Sequence, residues 1–170
     1  MAKNVLITGA PGIGKTTLIK HLIRDLTPLI VRGFYKEEIL ENNIIKGYRV
    51  ITVNLHELIL AHVYFEGPVK TGPFGVNLDG FEKLVETELN TTAGTELFVI
   101  DEISRIECLS QIFCHKVIEL LDSDIPVVAT IAQGAIPELK KLKQRKDLAI
   151  IQVKQKNRDS LWKNILLEIQ

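Results

Sequence analysis

Two hydrophobic periods alternate along the chain. Short runs in which almost every position is apolar occur at residues 4–8, 97–100, 127–131 and 148–153, with 29–34 as a fifth. Continuous apolarity over so few residues predicts strands buried on both faces, as in a parallel sheet. Between and after these runs lie stretches whose apolar residues recur every three or four positions: 15–26, 81–89, 112–121, 139–146 and 159–169. In the first of them Leu18, Ile19, Leu22, Ile23 and Leu26 fall on one helical face. Parallel strands joined by crossover helices follow, and with them an α/β fold.

Residues 33–65 break the alternation. They contain Asn42-Asn43, the run from Gly47 through Tyr48, Arg49, Val50 and Ile51 to Val53, and an apolar run at 58–65, with no period long enough for a helix. An antiparallel meander is expected there, covering about 34–66 and hinged at Asn42-Asn43 and at Asn54. The segment that follows, from Glu66-Gly67-Pro68 through Gly72-Pro73 to Gly75, is dense in turn formers and is expected to be a mobile loop.

Composition narrows the class. The 170 residues suit one domain spanning 1–170, and 46% apolar with 25% charged residues is the balance of an ordinary globular protein rather than a disordered or fibrous one. Lys and Arg together number 21, as do Asp and Glu, so no net field draws the chain toward a polyanion. The basic run from Lys140 and Lys141 through Lys143 and Arg145 to Lys146 has no interleaved aromatic residue and is read as a solvated helix face, so no nucleic-acid partner is expected. His56, Glu57, His62 and Glu66 interrupt the most apolar region, and the N-terminus enters a strand rather than a signal-peptide core; no membrane association is expected. Two cysteines, Cys108 and Cys114, fit buried thiols in a reducing compartment, hence a cytoplasmic address. His21, His56, His62 and His115 have no metal-ligand spacing and are read as surface or packing residues.

The chemistry comes early in the chain. Gly9-Ala10-Pro11-Gly12-Ile13-Gly14-Lys15-Thr16 fits G-x-x-x-x-G-K-S/T, placed after an apolar strand and before an amphipathic helix. Such glycines let consecutive backbone N–H groups wrap a phosphate, and the helix start adds the positive end of its dipole. Lys15 is the cation for the β- and γ-phosphates, and the Thr16 hydroxyl a ligand for Mg²⁺. Leu97-Phe98-Val99-Ile100-Asp101-Glu102 ends an apolar strand in adjacent carboxylates. Asp101 would hold the magnesium, mostly through water, and Glu102 would act as general base on an attacking water.

With these motifs in place the sequence resembles the small nucleoside-triphosphatases of the thermophile and cancer-related type, a family of P-loop phosphohydrolases, almost end to end. The resemblance extends to Gly33-Phe34-Tyr35-Lys36-Glu37-Glu38, Gly47-Tyr48-Arg49, Gly75-Val76-Asn77 before Phe81-Glu82, Asp101-Glu102-Ile103 with Glu107, Val128-Ala129-Thr130-Ile131, and Asn157-Arg158-Asp159. Ser104 and Ile106 depart from it, standing where glycine and methionine are usual. The resemblance implies Mg²⁺-dependent conversion of ATP, GTP and other nucleoside triphosphates, with broad base tolerance, to the diphosphate and phosphate. It also implies a three-layer, RecA-like P-loop fold of the additional-strand, catalytic-glutamate type, in which the strand ending at Thr130 lies between the strands carrying the two nucleotide motifs. Thr130 would then sense the γ-phosphate or its water, or serve only the sheet.

Further candidates stay open on the residues alone. Thr17 extends the nucleotide loop, and Arg158 can stack on the base, reach the phosphates, or simply open the last helix with Asn157 or Asp159 as cap. Glu37, Glu38 and Glu107 are either carboxylates aimed at water or metal, or charged surface. The leading function is a monomeric nucleoside-triphosphate hydrolase. A phosphotransferase with a small acceptor and a nucleotide-driven switch acting on RNA or a protein are the alternatives; the first lacks an arginine-rich lid.

Overall fold

Strand β1 (Asn4–Thr8) opens a computed structural model that describes residues 3–134, 137 and 141–169. It is followed by α1 (Lys15–Asp25), β2 (Val31–Glu41), β3 (Ile44–Thr52), β4 (Glu57–His62), the short β5 (Lys70–Thr71) and β6 (Phe74–Val76), and α2 (Leu78–Glu88). Then come β7 (Leu97–Ile103), a 3-10 turn at Glu107–Leu109, α3 (Gln111–Asp122), β8 (Val127–Ile131), a 3-10 turn at Leu142–Gln144, β9 (Leu148–Gln152) and α4 (Leu161–Ile169). Among the described residues the strands form one sheet in the order β5-β6-β4-β3-β2-β7-β8-β1-β9. The half from β2 to β9 is parallel and the half from β2 to β5 antiparallel.

The apolar runs are explained by two cores, one on each face. Val5 and Ile7 of β1, Val99 of β7 and Val128 of β8 pack with Leu18, Ile19 and Leu22 of α1 and Leu161 and Ile165 of α4. The alternate residues Leu6, Phe98, Ile100 and Ala129 face the other way, against Phe81 and Val85 of α2 and Phe113 and Val117 of α3. A strand covered by helices on both sides has no position for a polar residue, so its sequence cannot alternate. Phe34, Phe81 and Phe113 tie β2, α2 and α3 together, with ring centroids 5.4–6.2 Å apart.

Several boundaries differ from the sequence pattern for definite reasons. The run 29–34 is neither the start nor the end of its strand: Leu29 and Ile30 are exposed, and β2 continues to Glu41. Its first five residues pair in parallel with β7, and from Phe34 onward it pairs antiparallel with β3, so one strand belongs to both halves of the sheet. Asn42 and Asn43 turn the chain with φ of 51° and 61°, the two-residue hairpin geometry that asparagine tolerates. The turn at Asn54 carries its positive φ on Leu55 and is held by the Thr52 hydroxyl oxygen, which accepts from the His56 amide at 3.0 Å. The expected mobile loop contains the β5–β6 hairpin, which extends the sheet through Ala61↔Val76; strands of two and three residues leave no period to read. Helix α2 starts three residues earlier than its apolar period, where the Asn77 side chain accepts from the Gly80 amide at 3.1 Å. Of the helix expected over 139–146, Leu139 and Lys140 lie outside the described residues, and the rest holds only the 3-10 turn, anchored by the buried Leu142. Cys108 and Cys114 are both buried, but Cys108 sits in the 3-10 turn rather than in the helix with Cys114.

Candidate active site

The order β7-β8-β1 brings the ends of the two motif strands together at the carboxyl edge of the sheet, where open α/β sheets bind ligands. Residues 9–14 link β1 to α1, whose N-cap, Gly14, has φ of +108°, a conformation that L side chains rarely adopt. The loop lines a cavity of about 550 Å³ with Gly9, Pro11, Gly12, Gly14, Lys15, Thr16 and Thr17. Across from them stand Lys36, Glu37, Glu38, Tyr48, Glu102 and Ser104. Ala10 contributes a carbonyl that accepts from Lys15 at 3.4 Å and from the Ile13 amide at 3.2 Å, whereas the Ile13 side chain packs into the core beside α1.

Asp101 is buried within β7, toward its carboxyl end, and bound from both sides. The Thr16 hydroxyl donates to its Oδ2 at 2.7 Å and the Thr130 hydroxyl to its Oδ1 at 2.5 Å. Burial nevertheless raises its pKa above the ordinary carboxylate range, outweighing the two hydroxyls that favour the anion. Thr130 is itself fully buried, does not line the cavity, and donates its hydroxyl to the Asp101 carboxylate next door.

Glu102, the next residue, reaches into the cavity between two lysines. Lys15 Nζ lies 3.5 Å from its Oε1 and also donates to the Gly9 carbonyl at 3.2 Å; Lys36 Nζ lies 3.7 Å from its Oε2. Lys36 is anchored in turn by Glu107, whose fully buried carboxylate accepts from Lys36 Nζ at 2.6 Å, from the Ser104 amide at 3.1 Å and from the Ser104 hydroxyl at 2.5 Å. Burial acts to lower the Lys36 pKa, but the carboxylates of Glu107 and Glu102 outweigh it and raise the ammonium above its usual value. Lys36 is the residue that sequence pattern missed. Its signal was the strand alternation, which puts Lys36 on the core-facing side of β2 with Phe34, where a charge requires a buried partner.

Glu107 therefore lies beneath the cavity rather than in it. Glu37 lines the cavity, but it is tied to Lys20 of α1 and to Arg49 of β3, whose Nη2 is 2.8 Å away, and the Lys20 bond first, with Arg49, lowers its pKa. Arg158 is not in this cavity. It lies on the far side of Gly14 and Thr17, in a neighbouring cavity of about 520 Å³ shared with Leu18, His21, Asp159 and Trp162. Asn157 does not cap α4: its side chain accepts from the Lys154 amide at 2.8 Å and donates to the Gln152 carbonyl at 3.0 Å, fixing the loop that presents Arg158.

The donor set suits a magnesium ion. The Thr16 hydroxyl and the Asp101 carboxylate offer adjacent hard oxygens, and the described residues contain no cluster of three His, Cys, Asp or Glu side chains that would enclose a metal by themselves. An ion shared with phosphate oxygens and water needs no such cage. Asp101, Glu102 and Glu107 also outnumber Lys15 and Lys36, leaving negative charge to balance.

A family model described as NTPase matches residues 4–166. The chain is 40% identical over 163 residues to the nucleoside-triphosphatase THEP1 of Thermotoga sp. (strain RQ2), covering 95% of this chain and 92% of that protein. It is 32% identical over 190 residues to the cancer-related nucleoside-triphosphatase of Homo sapiens, covering 100% and 98%. The crystal structure of THEP1 from the hyperthermophile Aquifex aeolicus superposes with a TM-score of 0.88 at 30% identity, over 98% of this chain and 99% of that one.

Proposed function

This chain belongs to the NTPase family, and from that premise we propose that it is a Mg²⁺-dependent nucleoside-triphosphatase, releasing phosphate from ATP, GTP and other nucleoside triphosphates with little regard for the base. The observation that carries the reading is the pairing of Glu102 with Lys15 at 3.5 Å, which sets a carboxylate beside the cation of the phosphate loop, inside one cavity.

The β-phosphate seats on the N–H groups of the loop from Gly9 to Thr16, and Thr17 continues the same helix turn. Lys15 exchanges Glu102 for the β- and γ-phosphate oxygens. Thr16 and Asp101 would hold a magnesium ion, which would supply positive charge to offset that of the phosphates. Glu102, freed from Lys15, orients a water and takes its proton as the water oxygen bonds to the γ-phosphorus. The bond from phosphorus to the bridging oxygen breaks, and the electron pair leaves with the diphosphate. The adjoining cavity that Arg158 shares with Gly14 and Thr17 supports a role for Arg158 toward the nucleoside. A loop that reads only phosphates supports broad base tolerance. The buried cysteines suit a reducing, cytoplasmic setting, and among the described residues no helix is long and apolar enough to cross a membrane.

Phosphate release from ATP, GTP, CTP and UTP with Mg²⁺, with and without candidate acceptors, tests this directly. Acceptor-independent rates within about an order of magnitude, ~1.4 kcal/mol in the barrier, are expected. Strict use of one base, or transfer to an acceptor outpacing release to water, would contradict it.

A further inference from the structure

Glu102 has two cationic neighbours, and the phosphate loop claims one of them. Lys15 and Lys36 approach opposite oxygens of its carboxylate, at 3.5 and 3.7 Å. Lys15 belongs to the loop and turns to the triphosphate when one binds. Among the described residues Lys36 is then the cation left against Glu102. It comes from a different element, the core-facing side of β2, and its position is set by Glu107 Oε1 at 2.6 Å, beneath the cavity, and by Ser104 Oγ at 3.1 Å, in the cavity wall, with Tyr48 offering its ring face at 5.5 Å. Glu107 is fixed in turn by both donors of Ser104.

We propose that Lys36 is a positioning residue for hydrolysis: clamped by Glu107 and Ser104, it holds the Glu102 carboxylate in its working orientation once Lys15 has moved to the phosphates. Ser104, which breaks the glycine pattern of the Asp-Glu-Ile segment, is part of the clamp. The inference rests on the reading of Glu102 as the group that activates water. A lysine aimed at the bound phosphates would lower both affinity and turnover when removed. A lysine acting through Glu102 lowers turnover alone.

The test is single-turnover hydrolysis together with equilibrium binding of a non-hydrolysable ATP analogue, in Mg²⁺, for wild type, Lys36→Met, Lys36→Arg, Glu102→Gln and the Lys36→Met/Glu102→Gln pair. Lys36→Met keeps the stem and removes the charge; its turnover is expected to fall ~10- to 100-fold, the scale of a misplaced catalytic group, with analogue affinity unchanged. Lys36→Arg should recover part of the loss. In the Glu102→Gln background Lys36→Met should cost nothing further. Because Lys36→Met leaves Glu107 buried without its cation, Lys36→Met/Glu107→Gln is compared with Glu107→Gln alone: the neutral pair should melt near its parent yet remain slow. Wild-type turnover in Lys36→Met while Glu102→Gln is inactive would overturn the proposal. So would equal, additive losses in the two backgrounds, or lost analogue affinity. Wild-type turnover in Glu102→Gln would instead bring down the assignment of the base, and this proposal with it.

Discussion

Removing the Glu107 carboxylate should expose how much of the fold hangs on the charges beneath the cavity. Glu107 is fully buried and holds three donors, the Lys36 ammonium at 2.6 Å and the amide and hydroxyl of Ser104. Glu107→Ala leaves Lys36, only a tenth exposed, with Glu102 as its nearest remaining carboxylate at 3.7 Å, and strips the Ser104 amide of its acceptor. Breaking a buried pair by deleting one partner costs about 3–5 kcal/mol, far more than the ~1 kcal/mol ceiling of an exposed pair. For a chain of this size each kcal/mol moves the midpoint by about 2–4 °C, so Tm should drop by roughly 6–20 °C. The isosteric Glu107→Gln should lose less, since it fills the same space and its amide oxygen still accepts from one set of donors, Lys36 or Ser104, while its NH₂ faces the other. The sign of the pH dependence follows from Lys36. Its folded pKa is raised above the unfolded value, so the pair's stabilisation is complete below about pH 10.4 and fades as pH rises through the folded pKa. The gap between wild type and Glu107→Ala should therefore stay constant through neutral pH and narrow in alkali. Urea and thermal unfolding measure both. A loss under about 1 kcal/mol, the worth of a surface pair, would refute the reasoning.

Lys15→Ala should abolish measurable triphosphate binding and turnover, as followed by nucleotide titration and phosphate release; near wild-type values for either would remove the loop from the mechanism. Asp101→Asn should raise the Mg²⁺ concentration needed for turnover yet stabilise the nucleotide-free protein. The folded pKa of Asp101 lies above its unfolded value, so stability is greatest below the unfolded pKa and is lost as pH rises through the folded one; thermal melts should show the variant's advantage at neutral pH and its disappearance in acid. Gly33→Ala should destabilise by more than about 4 kcal/mol, because φ is +121° and the added Cβ would stand 1.9 Å from the Val99 carbonyl oxygen where β2 meets β7; chemical unfolding or simple loss of soluble protein would report it.

The parts of this molecule written plainly in the sequence are those determined by neighbours along the chain or by burial on both faces. Val5, Leu6 and Ile7 must all be apolar because helices cover both sides of β1, so β1, β8 and β9 could be read within one residue, whereas β7 and β2 run on past their apolar runs. The phosphate loop is a local shape dictated by glycine spacing, and Asp101 and Glu102 are marked by the apolar run they terminate. What stayed hidden depends on contacts between distant segments. Lys36 reads as one charge in a charged stretch until Glu107, 71 residues on, is brought beneath it. The bond from the Thr130 hydroxyl to Asp101, 29 residues away, has no local sequence mark either. Arg158 could be assigned to the nucleotide but not to a cavity, since its place is fixed by Asn157 binding the backbone of the loop. The double life of β2, parallel to β7 and antiparallel to β3, has no sequence mark, because pairing direction is a property of the partner strands.

The central claim is that Glu102 activates water while the loop and Asp101 serve binding. Single-turnover hydrolysis of Mg²⁺–ATP by Glu102→Gln, with binding of a non-hydrolysable analogue measured on the same preparation, tests it most directly. The amide keeps the shape of the side chain and a water contact but lacks basicity. Turnover should fall by ~10²- to 10⁴-fold, the span of general-base loss, with the analogue bound as tightly as by wild type. Turnover at the wild-type rate would contradict the account and move the search for the base to Glu37.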